Sequence, residues 1–143
     1  MPFSFSEYNK IKAFIDENAE KSCKIIAISK NFPISSVFEA LNCGIKIFGE
    51  NRVQEALGKF EKLKETNKDI ELHLTGSLQT NKVQSALKIF DVFQTLDREK
   101  LALEFSKNVD LIKNKKFFIQ VNTGAEESKS GVYLSDVNRF IKF

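Results

Sequence analysis

Long apolar runs are missing from this sequence: none approaches the ~20 residues that a membrane-crossing helix needs. Residues 1–20 carry Glu7, Asp16, Glu17 and Glu20, whereas a secretory leader has a basic start and an unbroken apolar middle. Cysteine is scarce as well. Cys23 and Cys43 stand at no metal-ligand or redox spacing, so the expected reading is two buried or half-buried free thiols in a cytoplasmic protein with no metal site. An excess of one charge sign is also absent. The net charge is +3, with Lys and Arg interleaved among Glu and Asp, a pattern that solvates a surface and gives no case for nucleic-acid binding. No G-x-G-x-x-G follows the first apolar run and no P-loop occurs, which removes the usual nucleotide-binding fingerprints.

What is present is enough for one domain. The 143 residues are 42% hydrophobic and 29% charged, the composition of an ordered globular chain with a real core. An opening helix over Glu7–Ala19 is expected, with Ser6 as its cap and Tyr8, Ile11, Ile15 and Ala19 near one face. After it a single pattern repeats: a short apolar run ends in polar or Gly-containing residues, then an amphipathic helix follows. The runs are Lys24–Ile28, Ile45–Phe48, Ile70–Leu74, Asp91–Thr95 and Phe117–Val121. The helices between them carry Val37, Phe38 and Leu41; Val53, Ala56, Leu57, Phe60 and Leu63; Val83, Ala86, Leu87 and Phe90; and Leu101, Ala102, Phe105 and Val109. Ser36-Val37-Phe38-Glu39 reads as a capping box, Gly44 as a helix stop, and a last helix is expected from near Ser135. Five such units imply a parallel sheet with helices outside it. An open doubly wound sheet and part of a (β/α)8 barrel both satisfy the pattern.

In parallel α/β folds ligands sit at the carboxyl ends of the strands. Those ends carry Ser29 and Lys30; Gly49, Glu50 and Asn51; His73, Thr75 and Gly76; and Asn122 followed by Ser128-Lys129-Ser130-Gly131. If Ile26 and Ile28 face the interior mouth, period-two alternation places Lys30 beside them, partly desolvated. Desolvation disfavours the charged form and leaves a free amine able to attack an aldehyde. The plainer role is a strand-end lysine that snorkels to solvent. His73 has an equally plain role as a hydrogen-bonded strand residue, and Asn51 as the N-cap of the following helix. Glu50 and Glu55 suit that helix's N-terminal dipole.

Four blocks carry a resemblance. Ala27-Ile28-Ser29-Lys30, the run Phe48–Glu55 (Phe-Gly-Glu-Asn-Arg-Val-Gln-Glu), the run Leu72–Lys82 (Leu-His-Leu-Thr-Gly-Ser-Leu-Gln-Thr-Asn-Lys), and Gln120-Val121-Asn122 with Ser128–Val132 resemble the pyridoxal phosphate homeostasis proteins, in that family's order and spacing. The resemblance implies a parallel (β/α) barrel of TIM type, like the N-terminal domain of alanine racemase, with an N-terminal helix. It implies pyridoxal 5′-phosphate (PLP) held as a Schiff base on Lys30, with Asn51 close to the cofactor ring and Lys129 near the mouth. It also implies a role in vitamin B6 balance without turnover, in a cytoplasmic monomer that serves PLP-dependent apoenzymes. The related racemases take a second base from another domain, and none is expected here: Tyr8 and Tyr133 are the only tyrosines, neither at a strand end. No catalytic residue is therefore assigned. A racemase or decarboxylase of the same fold is the alternative, followed by a barrel aldolase using Lys30 and by an open-sheet signalling domain, which would normally carry an acidic pocket where Ser29-Lys30 stands. The expected organisation is a single PLP-binding domain over residues 1–143, truncated at its C-terminus: about five of eight βα units, some 75 residues short of the usual ~200–250. Phosphate sites in such barrels lie after the seventh and eighth strands. Weak PLP binding and exposed apolar edges are accordingly expected of this chain.

Overall fold

The alternating runs resolve, in the computed structural model, which describes residues 3–143, into α1 (Phe5–Asn18), β1 (Ala27–Ile28), α2 (Ile34–Asn42), β2 (Ile47–Glu50), α3 (Val53–Thr66), β3 (Glu71–Leu74), α4 (Val83–Ile89), β4 (Val92–Leu96), α5 (Glu99–Ser106), α6 (Val109–Ile112), β5 (Lys116–Ile119), β6 (Val121–Asn122), β7 (Val132–Tyr133) and α7 (Val137–Lys142). The first five strands form one parallel sheet in the order β1-β2-β3-β4-β5. That order decides between the two architectures. A doubly wound sheet reverses direction at a switch point, whereas here each strand is laid beside its predecessor in one direction. Right-handed crossovers then put every helix on the same side and leave the other side as the inner face of a barrel wall. The chain is an α/β protein of the parallel (β/α) barrel type, contributing five strands of the wall.

The core lies between the sheet's outer face and the helices. Val37 and Ala40 of α2, Ala56, Phe60 and Leu63 of α3, Ala86 and Leu87 of α4, and Leu101 and Phe105 of α5 close over Phe48, Leu72, Leu74 and Phe93. A phenylalanine cluster anchors one end: Phe93 stacks on Phe117 at 5.2 Å between ring centroids and meets Phe105 edge-on at 5.0 Å. On the inner face Gly49 pairs in register with Ile28 and His73. Ile28 and Phe118 on that face are 45% and 55% exposed.

Several local expectations need correction. Ser4, not Ser6, caps α1 by accepting from the Glu7 N–H, and α1 has no buried residue. The capping box does not form. α2 starts behind Pro33, so Ser36 lies inside the helix, and Glu39 instead accepts from the Phe3 N–H. Starting the helix earlier turns Phe38 outward, and Ala40 takes the inward position. Cys23 is exposed rather than buried, and Cys43 is partly exposed. The helix after β4 is broken at Asn108, whose side chain donates to the Glu104 carbonyl while its own backbone leaves helical geometry (φ −114°, ψ 49°). Val109 consequently faces solvent.

The fifth strand is also two strands. Gln120 donates its N–H to Leu96 of β4, but its carbonyl accepts from Val132, so at this residue the chain leaves the main sheet to pair with β7. Gly131 permits the junction: its φ is 125°, and a Cβ there would lie 2.7 Å from the Asn122 nitrogen.

Candidate functional site at the strand ends

At the end of β1 the chain makes a tight turn. Phe32 N–H donates to the Ser29 carbonyl at 3.2 Å, which makes Lys30 and Asn31 its two central residues. Asn31 has φ 63°, in the left-handed region that turns of this kind demand at their second central position and that Asn tolerates. Ser29 points outward, donating its hydroxyl to Glu50 Oε1 at 2.8 Å. Lys30 follows as the first central residue of the turn, outside β1, and the expected desolvation does not hold: Lys30 is exposed.

Beneath the turn lies a charged network that sequence reasoning missed. Lys59, on α3, donates to the Ser29 carbonyl (2.7 Å), to Glu50 Oε1 (2.9 Å) and to Glu55 Oε1 (2.6 Å). Glu55 Oε1 also accepts from the Asn31 N–H at 2.6 Å. Glu55 does occupy the first turn of α3, as the dipole argument requires. Glu50 does not serve that dipole: it is the last residue of β2, fully buried, paired with Lys59 and Ser29. The signal for Lys59 was its place four residues after Glu55 on one helix face, the spacing at which opposite charges meet.

Asn51 is not the N-cap of α3. That position falls to Arg52, which makes no side-chain cap. The Asn51 amide turns instead to the neighbouring strand end, where its Oδ1 accepts from Thr75 Oγ1 at 2.7 Å. The two loops touch because residue 76 is glycine: a Cβ there would sit 2.4 Å from the Asn51 carbonyl oxygen and 2.9 Å from its Cα. Backbone atoms cannot yield as a flexible side chain does. Gly76→Ala is therefore expected to lower stability by about 1–3 kcal/mol or more and to displace Asn51. Urea denaturation together with the Asn51 side-chain amide resonances checks both effects, and a wild-type midpoint would contradict the close approach.

His73 is 6% exposed and satisfied on both ring nitrogens. Glu71 Oε1, an acceptor only, lies 3.0 Å from Nε2, so the ring proton is there, and Nδ1 accepts from the Gln94 amide at 2.9 Å. This fits the structural role. Lys129 is exposed on the loop after β6. Asn122 holds that loop through Nδ2 to the Glu126 carbonyl (2.8 Å), and a Ser77–Ser130 hydroxyl contact of 2.8 Å ties it to the end of β3. Lys30, Asn51 with Thr75, and the Lys129 loop are thus gathered at one end of the sheet. An apolar cleft of about 170 Å³ between β1 and α2, lined by Phe3, Ala27, Ile28, Ser29, Phe32 and Val37, borders the Lys30 turn through Ser29 and Phe32. Among the described residues no group of three or more His, Cys, Asp or Glu is placed to hold a metal, and no helix is long and apolar enough to cross a membrane.

Two carboxylates bear on acid stability. The Lys59 hydrogen bond, helped by the Asn31 N–H and opposed by burial, holds Glu55 below its ordinary value of 4.5. The hydrogen bond with His73, helped by Lys116 and Lys24 and again opposed by burial, lowers Glu71 likewise. A carboxylate whose folded pKa lies below the unfolded one adds stability that is complete above the unfolded value and is lost as pH falls through the folded value. The urea midpoint is expected to drop as pH is lowered below about 4.5, and the Glu55→Gln, Glu71→Gln double variant should show a shallower drop. Equal slopes for the two proteins would exclude this contribution.

No family model matches the chain. It is similar to two curated proteins named pyridoxal phosphate homeostasis protein. The one from Aquifex aeolicus is 39% identical over 127 residues, covering 87% of this chain and 54% of that protein. The one from Buchnera aphidicola subsp. Schizaphis graminum is 37% identical over 140 residues, covering 93% and 59%. Among solved structures, PipY of Synechococcus elongatus PCC7942 without PLP superposes with a TM-score of 0.80 at 31% identity, covering 93% of this chain and 62% of PipY. PipY with PLP bound gives 0.77 at 30% identity, covering 93% and 61%. The chain spans between half and two thirds of the length of these relatives.

Proposed function

We propose that the chain belongs with the pyridoxal phosphate homeostasis proteins, that it binds PLP covalently through Lys30, and that it carries it without turnover. The observation that carries the reading is the placement of Lys30: an exposed primary amine in a clamped turn directly after β1, at the sheet's carboxyl end. The residues present fit the cofactor's aldehyde and ring. Lys30 offers the amine, Asn51 a fixed amide nearby, and Gly49 no side chain between Ile28 and Thr75. Bound PLP supplies an aldehyde that condenses with a primary amine to an imine and releases one water, a reversible step that consumes no oxidant or reductant.

The surroundings of the lysine speak against turnover. Deprotonating a bound amino acid calls for a second base placed opposite the amine. Tyr8 lies in α1; Tyr133, against the expectation that no tyrosine stands at a strand end, is the last residue of β7, but in the separate two-stranded sheet, and the His73 ring is committed to Glu71 and Gln94. The chain acts as a single PLP-binding domain, a cytoplasmic monomer that releases its cofactor to PLP-dependent apoenzymes.

The test is to mix the protein with PLP, reduce with borohydride and map the modified peptide by mass spectrometry, then to incubate the loaded protein with single enantiomers of amino acids. A Lys30 adduct with no racemisation or decarboxylation is expected. A folded protein without that adduct overturns the PLP reading, and an adduct accompanied by turnover replaces the carrier with the enzyme.

A further inference from the structure

The backbone on both sides of Lys30 is held by side chains from a different element. On the N-terminal side, the Ser29 carbonyl accepts from Lys59 Nζ at 2.7 Å. On the C-terminal side, the Asn31 N–H donates to Glu55 Oε1 at 2.6 Å. Lys59 and Glu55 are themselves paired at 2.6 Å, and Lys59 is anchored from below by the fully buried Glu50. The Lys59 and Glu55 side chains are only 12% and 23% exposed, so water competes weakly for the part-buried Lys59 bonds, while the Asn31–Glu55 bond lies at the exposed edge of the clamp. Asn31 is held in a left-handed conformation that a free chain populates sparingly. One fold-level consequence is that the direction in which Lys30 leaves the strand is set by α3 and not by β1, a strand of two residues.

We propose that Glu55 and Lys59 are positioning residues for Lys30, fixing its turn so that the amine is presented to an aldehyde at the strand ends. Neither residue touches the incoming carbonyl compound. They act by removing the conformational freedom the turn would lose on forming the covalent bond, the general benefit of preorganisation. The inference rests on the reading of Lys30 as the PLP-binding amine, but the clamp itself has a readout that does not.

Glu55→Gln is the informative variant. It removes the charge from a partly exposed residue and keeps the size, whereas Lys59→Met strands the buried Glu50 carboxylate and is expected to unfold more readily. Two measurements are made on wild type, Glu55→Gln and Lys59→Arg, each shown to be folded by circular dichroism. The first is hydrogen exchange of the Asn31 amide by NMR. The second is the PLP concentration giving half-maximal borohydride-trapped Lys30. Glu55→Gln is expected to speed Asn31 exchange and raise that concentration about tenfold, the scale of one charge-assisted hydrogen bond, with a lowered thermal midpoint but the fold retained. Lys59→Arg, which keeps charge and donors, should recover most of the wild-type behaviour. Unchanged trapping in folded Glu55→Gln overturns the positioning role, because a merely structural residue would move the midpoint and leave the PLP titration alone. If wild type itself is not trapped at Lys30, the PLP reading falls and the positioning role falls with it. The exchange measurement then shows separately whether the clamp exists: faster exchange of Asn31 in Glu55→Gln establishes it as a backbone device, and equal exchange removes it too.

Discussion

Replacing Lys30 with alanine is expected to abolish borohydride-trapped PLP completely while leaving the fold intact. Imine formation needs a primary amine whose lone pair reaches the aldehyde carbon, and alanine has none. Lys30→Arg should fail as well, since a guanidinium stays charged and does not replace a free amine. The fold should tolerate both changes. Lys30 is exposed, and the bonds that organise its turn run through the backbone of Ser29 and Asn31 to Lys59 and Glu55. Stability is expected to change by no more than about 0.5 kcal/mol, as for surface positions in general. Lys129→Ala is the matched control: another exposed lysine, on the loop tied to the same end of the sheet by Ser77 and Ser130, whose loss should leave the Lys30 adduct in place. Trapping and peptide mapping of the three variants decide the matter. A Lys30→Ala protein that still captures PLP at wild-type level, through Lys129 or any other lysine, would show that the strand-end position of Lys30 is not what binds it.

The second large effect concerns the wall that carries the site. Phe93→Ala should destabilise the domain by about 3–5 kcal/mol, a large share of the ~5–15 kcal/mol a domain of ordinary stability possesses. Phe93 is fully buried on β4 and packs against Phe90 at the end of α4, Phe105 of α5 and Phe117 of β5. Removing its ring forfeits transfer energy and leaves a void that these three neighbours cannot easily fill, because Phe105 and Phe117 are already in edge contact at 4.8 Å. Urea denaturation monitored by circular dichroism measures the loss. A change below about 1 kcal/mol would mean that the cluster collapses into the space or that β4 and β5 are not packed as described. Phe118→Ala, on the neighbouring residue of β5 but 55% exposed on the inner face, should by contrast change stability little. The pair of variants thus reads out which face of the sheet is the core.

Reading the sequence alone succeeded where one residue's environment is dictated by its neighbours in the chain. The helix over Val53–Thr66 was legible because Val53, Ala56, Phe60 and Leu63 recur at the helical period, and each is buried as expected. Lys30 stands out in the sequence because it follows a short apolar run at a polar strand end, but the desolvated environment expected from alternation is not found: it is exposed. The failures differ in origin. Ser36-Val37-Phe38-Glu39 has the composition of a capping box, but Pro33 starts the helix one turn sooner. Phe117–Val121 reads as one strand, yet the backbone bonds of Gln120 go to two different partners. Cys23 and Phe38 are apolar by type and exposed by position. For Gln120 the deciding bonds go to Leu96 and Val132, 24 and 12 residues away, which no local pattern contains, whereas Pro33 stands only three residues before Ser36 and its effect on the helix start is local.

The amino-acid sequence by itself determined the βα repeat, the inner and outer faces of each strand, and Lys30 as the amine at a strand end, because these depend on the periods of helix and strand and on nearest-neighbour chemistry. Only the tertiary structure decided that the sheet is wound in one direction, since strand order is a relation among segments some 20–25 residues apart along the chain. It alone turned Asn51 toward Thr75 through the close approach at Gly76. It alone brought Lys59, Glu55 and Glu50 beneath Lys30, since hydrogen bonds reach only about 3 Å and it is the fold that brings α3 within that distance of the turn.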